Sequence, residues 1–245
     1  MPEYVYGVVA ADAKPPAAAG LAGEPVRTVA SEDGVAALVS HVDTRELTLG
    51  RQELLTHSRV LDDALSQGAV LPMRLGIVME DEDDVRARLL DSHAEELGEQ
   101  LAEFEGKFEA SVRVVYEEDA LMQEVLASQP EVAQLREAIH GRDPDATYYE
   151  RIQLGQLVAE AVERIREADA ESLLSALRQV SLDQSVSPPA HERVALNAAF
   201  LLDQQQAAEF DQVLEAIAEG QSGRLRFRYT GPLPPHSFVE LEGGA

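Results

Sequence analysis

Lys107-Phe108-Glu109-Ala110-Ser111-Val112-Arg113-Val114-Val115-Tyr116 is the stretch that decides the fold of the second half of the chain. Phe108, Ala110, Val112 and Val114 recur at every second position, the period of a strand with one face toward a core. The residues after it change period. Ala120 to Leu126 reads as a helix, and Val132 to His140 as another, opened by a capping-box pattern of Ser128 with Glu131 and closed by Gly141. Asp143-Pro144 then starts a long amphipathic helix whose stripe Leu154, Val158, Ala161, Ile165 and Ala168 runs on toward Leu177. Ser181 to Ser187 and Arg193 to Leu202 read as strands separated by Pro188 and Pro189. Gln205 to Ala218 is a helix with Phe210, Val213, Leu214 and Ile217 inward, and Leu225 to Tyr229 closes as an alternating strand. Strand, helices, strand, strand, helix, strand is the ferredoxin-like βαββαβ plan with an extended first crossover.

Toward the N-terminus the order differs, with strands ahead of helices. Tyr4 to Ala10 is β-branched, aromatic and apolar, a buried strand, and the Ala-, Gly- and Pro-rich Asp12 to Pro25 reads as a surface loop. Val26 to Ala30 and Val35 to Val39 flank Ser31-Glu32-Asp33-Gly34, a turn that predicts a β-hairpin. Gln52 to Gln67 predicts a helix with Leu54, Leu55, Ser58, Leu61 and Leu65 inward and Gly68 as its cap. Ala69 to Met79 carries Pro72 and Gly76 and reads as an irregular or edge strand. The acidic run Glu80 to Asp84 opens a helix with Val85, Leu89, Leu97, Leu101 and Phe104 on one stripe, where carboxylates suit the helix dipole. A boundary at Gly106 follows. The expected fold is α+β in two domains: a mixed α+β domain over 1–106, a ferredoxin-like domain over 107–230, and a Pro-rich tail over 231–245.

Composition excludes several functions. The 245 residues, 45% hydrophobic, are enough for a real core. A formal net charge of −25 argues against nucleic acid as a partner, because phosphate binding needs clustered Lys and Arg. Aromatic residues make up 5% and tryptophan is absent, so stacking platforms are scarce. Without cysteine there is no disulfide, thiolate metal site or thiol nucleophile, which fits a reducing cytoplasm. Met1 to Ala10 has no basic n-region and no run nears the ~18 apolar residues of a membrane span, so an unexported protein with no lipid partner is expected.

The search for chemistry comes back nearly empty. Phosphate-binding, dinucleotide-binding, zinc-protease and nucleophile-elbow motifs are absent from the sequence. None of His41, His57, His93, His140, His191 and His236 pairs with another at the spacing of a compact metal site. His93 reads as a half-buried structural histidine, and the acids 80–84 as a helix start rather than a cation loop. No catalytic, cofactor or metal residue is assigned. Arg74, inside an apolar segment, needs a carboxylate partner if buried. Tyr149 and Arg151, near the head of the long helix, suit either interdomain packing or partner contact.

Arg226-Phe227-Arg228-Tyr229-Thr230-Gly231-Pro232-Leu233-Pro234-Pro235-His236-Ser237-Phe238-Val239 resembles the signature of the GvpF/GvpL gas vesicle family. Tyr4-Val5-Tyr6-Gly7-Val8-Val9, Val70-Leu71-Pro72-Met73-Arg74-Leu75-Gly76 and Tyr148-Tyr149-Glu150-Arg151 are similar to the same family, in the same order. The sequence departs from that pattern at Leu233, commonly tryptophan, and at His236, commonly tyrosine. The resemblance implies a non-enzymatic, minor structural or assembly component of gas vesicles that binds the shell protein GvpA and limits its aggregation. Two alternatives stay open: an adaptor between other gas vesicle accessory proteins, and a small-ligand sensor or enzyme on the ferredoxin-like domain. Gly231 to Pro235 should leave the sheet as a stiff polyproline-like segment. Gly231, Pro232, Pro234, Pro235 and Phe238 join Arg74, Tyr149 and Arg151 as candidate partner or interdomain contacts.

Overall fold

A computed structural model describes residues 1–45 and 47–240; the end of the expected tail, 241–245, lies outside the described residues. The described residues form two compact units: one takes in residues up to 110, with 201–204 and 231–240, the other 111–200 and 205–230.

In the first unit, β1 (Glu3–Ala10) is the central strand of an antiparallel sheet ordered β2-β3-β1-β4, with β2 at Arg27–Ala30, β3 at Val35–His41 and β4 at Leu71–Pro72. The hairpin forms as its turn chemistry predicts, with Arg27 opposite Val39 and Ala30 opposite Ala36. β5 (Val78–Met79) pairs with β1 beside β4, so the Pro72- and Gly76-containing segment is an interrupted edge strand. A bulge between Val5 and Gly7 shifts the β1–β3 register. Gly7 cannot carry a side chain there: a Cβ would lie 2.8 Å from the Leu71 carbonyl and 2.9 Å from Leu61 Cδ2.

Helix α1 (Arg51–Leu65) buries His57, Val60, Leu61 and Ala64, while Leu54 and Leu55 are about half exposed. Leu61 is inward as expected and Leu65 packs beside it, whereas the placement of Leu54 and Leu55 is corrected. His57 can be buried because both ring nitrogens find partners, and the helix rotates to put it there. Ser66, in right-handed helical geometry, caps the helix, and Gly68 only donates its N–H to Ala64.

The acidic run does open a helix, with the Asp81 carboxylate capping the Asp84 N–H, but the helix is broken into pieces. Short α2 (Glu82–Asp84) passes into a π-helical stretch, Val85–Leu90, then a 3-10 turn, Asp91–His93, before α3 (Ala94–Glu103). The wider π turn brings Leu90 to the core where regular spacing would place Leu89.

A second sheet is ordered β7-β8-β6-β9, with β6 at Lys107–Tyr116, β7 at Asp183–Val186, β8 at Val194–Asp203 and β9 at Leu225–Leu233. Its first and third strands are central, which is the ferredoxin-like arrangement expected. The long crossover holds α4 (Glu118–Ser128), α5 (Pro130–Ile139) and the 30-residue α6 (Tyr148–Leu177); α7 (Ala207–Gly220) joins the last two strands. The capping box of Ser128 with Glu131 is not formed. Ser128 is the last residue of α4 and bonds back to Val125, and Pro130 starts α5. The expected departure of Gly231 and Pro232 from the sheet is likewise corrected, since β9 runs on to Leu233. β9 is an edge strand, so Pro232 need not donate to a neighbour.

Candidate functional site

The motif-bearing C-terminal segment is docked on its own chain. Pro234 and Pro235 are buried, a turn follows in which Phe238 and Val239 donate their N–H groups to Pro235, and both side chains pack on the cluster of Val5, Leu97, Leu101, Phe104 and Leu201. One side chain fastens this turn. Glu109 is 6% exposed and its carboxylate accepts from the Ser237 N–H at 2.7 Å and the Ser237 hydroxyl at 3.1 Å. Burial raises the Glu109 pKa, and those two bonds oppose the rise. Farther along, the Gln100 amide donates to the Glu240 carbonyl at 2.6 Å.

A polar network also lies under β1. Tyr4 Oη is 2.9 Å from His57 Nδ1, His57 Nε2 is 3.1 Å from the Met73 carbonyl, and Gly76 donates its N–H to Tyr4 Oη at 3.0 Å. A carbonyl can only accept, so Nε2 carries the proton and Nδ1 accepts from tyrosine. Burial lowers the His57 pKa to about 4 and raises that of Tyr4 to about 12, so both are neutral at physiological pH. Beside them Tyr6 Oη accepts from the Leu21 N–H at 2.7 Å and meets Ser40 Oγ at 2.8 Å. Tyr4 and His57 thus hold α1, β1 and the 73–76 segment together, while Tyr6 and Ser40 tie β1 to β3 and Leu21.

In the second unit the counterpart is charged. Arg224 makes a two-pronged pair with Glu124 at 2.9 and 3.0 Å and reaches Asp169 at 2.7 Å; Tyr116 Oη donates to Asp169 at 2.6 Å. The guanidinium also lies 5.7 Å from the Tyr116 ring centre. Burial, with the Asp169 carboxylate, pushes the Tyr116 pKa far up, and the bond to Glu124 leads a similar rise for Arg224. Every charge here has an opposite partner, which describes a structural clasp. A shallow cleft of about 240 Å³ beside it is lined by Asp169, Ser172, Ala176, Ala216 and Gly220.

The remaining sequence candidates are at the surface. Tyr149 is 81% exposed and stacks edge-on against Tyr148 at 5.4 Å, while Ile152 one turn on is also exposed. Arg151 turns back to the buried Thr147 hydroxyl at 3.0 Å, which fixes the head of α6. Arg74 is exposed and has no ion pair among the described residues, so the internal pair expected for a buried arginine does not arise. Sequence reasoning missed Glu109, Arg224 and His57, whose partners lie 128, 100 and 53 residues away. Among the described residues no group of three or more His, Asp or Glu could hold a metal ion. Among the described residues no helix is long and apolar enough to cross a membrane.

A family model described as gas vesicle synthesis protein GvpL/GvpF matches residues 3–240. Gas vesicle protein F of Streptomyces sp. (strain CB03234) is 34% identical over 98% of this chain and 100% of its own length. Gas vesicle protein L1 of Halobacterium salinarum is 26% identical over 96% of this chain and 89% of its own. The crystal structure of GvpF from Anabaena sp. PCC7120 superposes with a TM-score of 0.82 at 26% identity, covering 98% of both chains.

Proposed function

The chain belongs to the GvpL/GvpF family of gas vesicle synthesis proteins, and from that premise we propose that it binds the shell protein GvpA and limits its aggregation during vesicle formation. The family is one of gas vesicle proteins and not a known enzyme family, and membership makes the chain a gas vesicle component with partners in that machinery. Within the proposal, it meets the shell protein in the cytoplasm.

The observation that supports this reading is a pairing of opposites on one surface. A chain of net charge −25 exposes Tyr148, Tyr149 and Ile152 together at the head of α6. Aromatic side chains of that kind anchor protein interfaces, and the surrounding charge keeps a complex with an apolar subunit dispersed. Pro234, Pro235 and Phe238 enter differently: they hold the tail down, so they act by keeping the first unit intact. Arg74 remains a proposed contact at the surface.

Co-expression with GvpA tests this directly. The intact protein should retain GvpA on purification and lower its sedimenting fraction, and Tyr148→Ser with Tyr149→Ser should weaken retention about tenfold. Absence of association with the intact protein sinks the proposal. Retention of GvpA unchanged in the double variant moves the contact away from α6.

A further inference from the structure

Charge is distributed unevenly along this chain. Residues 44–79 hold four arginines, Arg45, Arg51, Arg59 and Arg74, against four carboxylates, Glu46, Glu53, Asp62 and Asp63, within a protein of net charge −25. Two of those carboxylates are already engaged by backbone: Glu53 accepts from the Gly50 N–H and Asp63 from the Ala18 N–H. Arg51, Arg59 and Arg74 are exposed, with no ion pair among the described residues; Arg113, Arg136, Arg142 and Arg228 share that state elsewhere, and here the three lie within residues 51–74, a stretch that includes α1.

Large aliphatic side chains are exposed in the same place. Leu49, Leu54 and Leu55 are 47%, 48% and 47% exposed, and none belongs to the face of α1 that packs inward. Leu49 also ties the parts together: its Cδ1 lies 2.7 Å from where a Cβ at Gly76 would stand, which brings the loop that carries Arg74 alongside the start of α1. Gly76 is held to glycine by its φ of +98°.

We infer that this outer face of α1 docks a partner helix that presents leucine-class side chains flanked by carboxylates. The leucines supply area to remove from water, and the unpaired arginines supply orientation and register. Net repulsion from the rest of the chain does not forbid it, because at ~0.15 M salt the field of distant carboxylates is screened beyond ~8 Å, and with Glu53 and Asp63 engaged by backbone α1 sets the exposed Asp62 against the two arginines Arg51 and Arg59. This surface goes beyond the shell-protein reading and stands or falls independently of it.

The test uses two fluorescein-labelled synthetic amphipathic helices, one with leucine and glutamate at helical spacing and a twin with every glutamate replaced by lysine. The full chain should bind the glutamate helix about tenfold more tightly than the lysine twin, against the pull of its net charge. Leu54→Ser with Leu55→Ser, and separately Arg51→Gln with Arg59→Gln, should each weaken that binding about tenfold with an unchanged thermal melt. Equal or tighter binding of the lysine twin, or full binding by both variants, overturns the inference. Since the chain has no cysteine, Leu55→Cys places one benzophenone label on an otherwise intact protein. Crosslinking to the glutamate helix above that of a Glu99→Cys control supports the inference even where a multiple variant folds poorly; equal crosslinking from both positions overturns it.

Discussion

In the first unit the hydroxyls of Tyr4 and Tyr6 end on an imidazole and a serine, whereas in the second the hydroxyl of Tyr116 ends on a carboxylate that Arg224 also holds. Depth separates the two solutions. His57 and Ser40 are 3% and 0% exposed, while the Arg224, Asp169 and Glu124 side chains keep 26%, 17% and 36% of their surface. A charge taken fully out of water costs several kcal/mol, roughly, even when paired, so the deep centre uses neutral donors and acceptors. Where water still reaches the groups, ion pairs are affordable and bridge elements far apart in sequence. The contrast belongs to these two networks and not to acids at large, since Glu3 and Glu109, 1% and 6% exposed, are carboxylates buried where Arg27 or the Ser237 N–H and hydroxyl meet them.

That contrast can be broken by removing the cation. Arg224→Met should destabilise the protein by about 3 kcal/mol, because Glu124 and Asp169 are left facing each other in a partly desolvated site. Thermal or urea unfolding reads the change directly. High salt should shrink it, since the residual repulsion is screened, and a loss insensitive to salt would mean that the clasp is packing rather than charge.

The neutral network answers to acid instead. The unfolded chain takes up the His57 proton near pH 6.5, the folded one only near pH 4, so the unfolded state gains protons first as pH falls. Stability contributed by neutral His57 is therefore complete above about pH 6.5 and is lost toward pH 4, by up to about 3 kcal/mol. His57→Gln keeps a donor for Met73 and an acceptor for Tyr4 without titrating. The difference between its stability and the wild type's should close over that interval, and a pH-independent difference would show that His57 is not buried neutral.

The ferredoxin-like unit was legible because its order is carried by local signals: alternation in 107–116, turn residues between strands, and long runs of helical period. The GvpF/GvpL motifs were equally local. What escaped was set by distance. Leu54 and Leu55 looked like core beside Ser58 until His57, a polar residue, took the inward position on the strength of partners at Tyr4 and Met73. Glu109 looked like the solvent face of a strand, yet Ser237, 128 residues on, makes it a buried clasp for the tail. The π-helical turn at 85–90 is invisible to a 3.6-residue period, which assigned Leu89 in place of Leu90. Of the expected contact surface, the exposed Tyr149 could be seen in sequence; that the tail prolines would be buried could not.

The finest test compares single hydroxyl bonds of the two kinds. Tyr116→Phe removes a donor from Asp169 but leaves Arg224 in place, so the loss should be about 1.5–2 kcal/mol, the low end of the range for a bond to a charged group. Ser40→Ala removes the acceptor that the described residues offer the Tyr6 proton, because the other partner of that hydroxyl is the Leu21 N–H, itself a donor. Its cost should be about 1 kcal/mol. Gly20 leaves no slack for repair, since a Cβ there would stand 2.5 Å from the Tyr6 oxygen and the ring sits in a full site. The two losses should separate with salt: that of Tyr116→Phe changes between low and high ionic strength, because it alters a network of charges, and that of Ser40→Ala does not. Identical salt responses would remove the distinction between a neutral centre and a charged one.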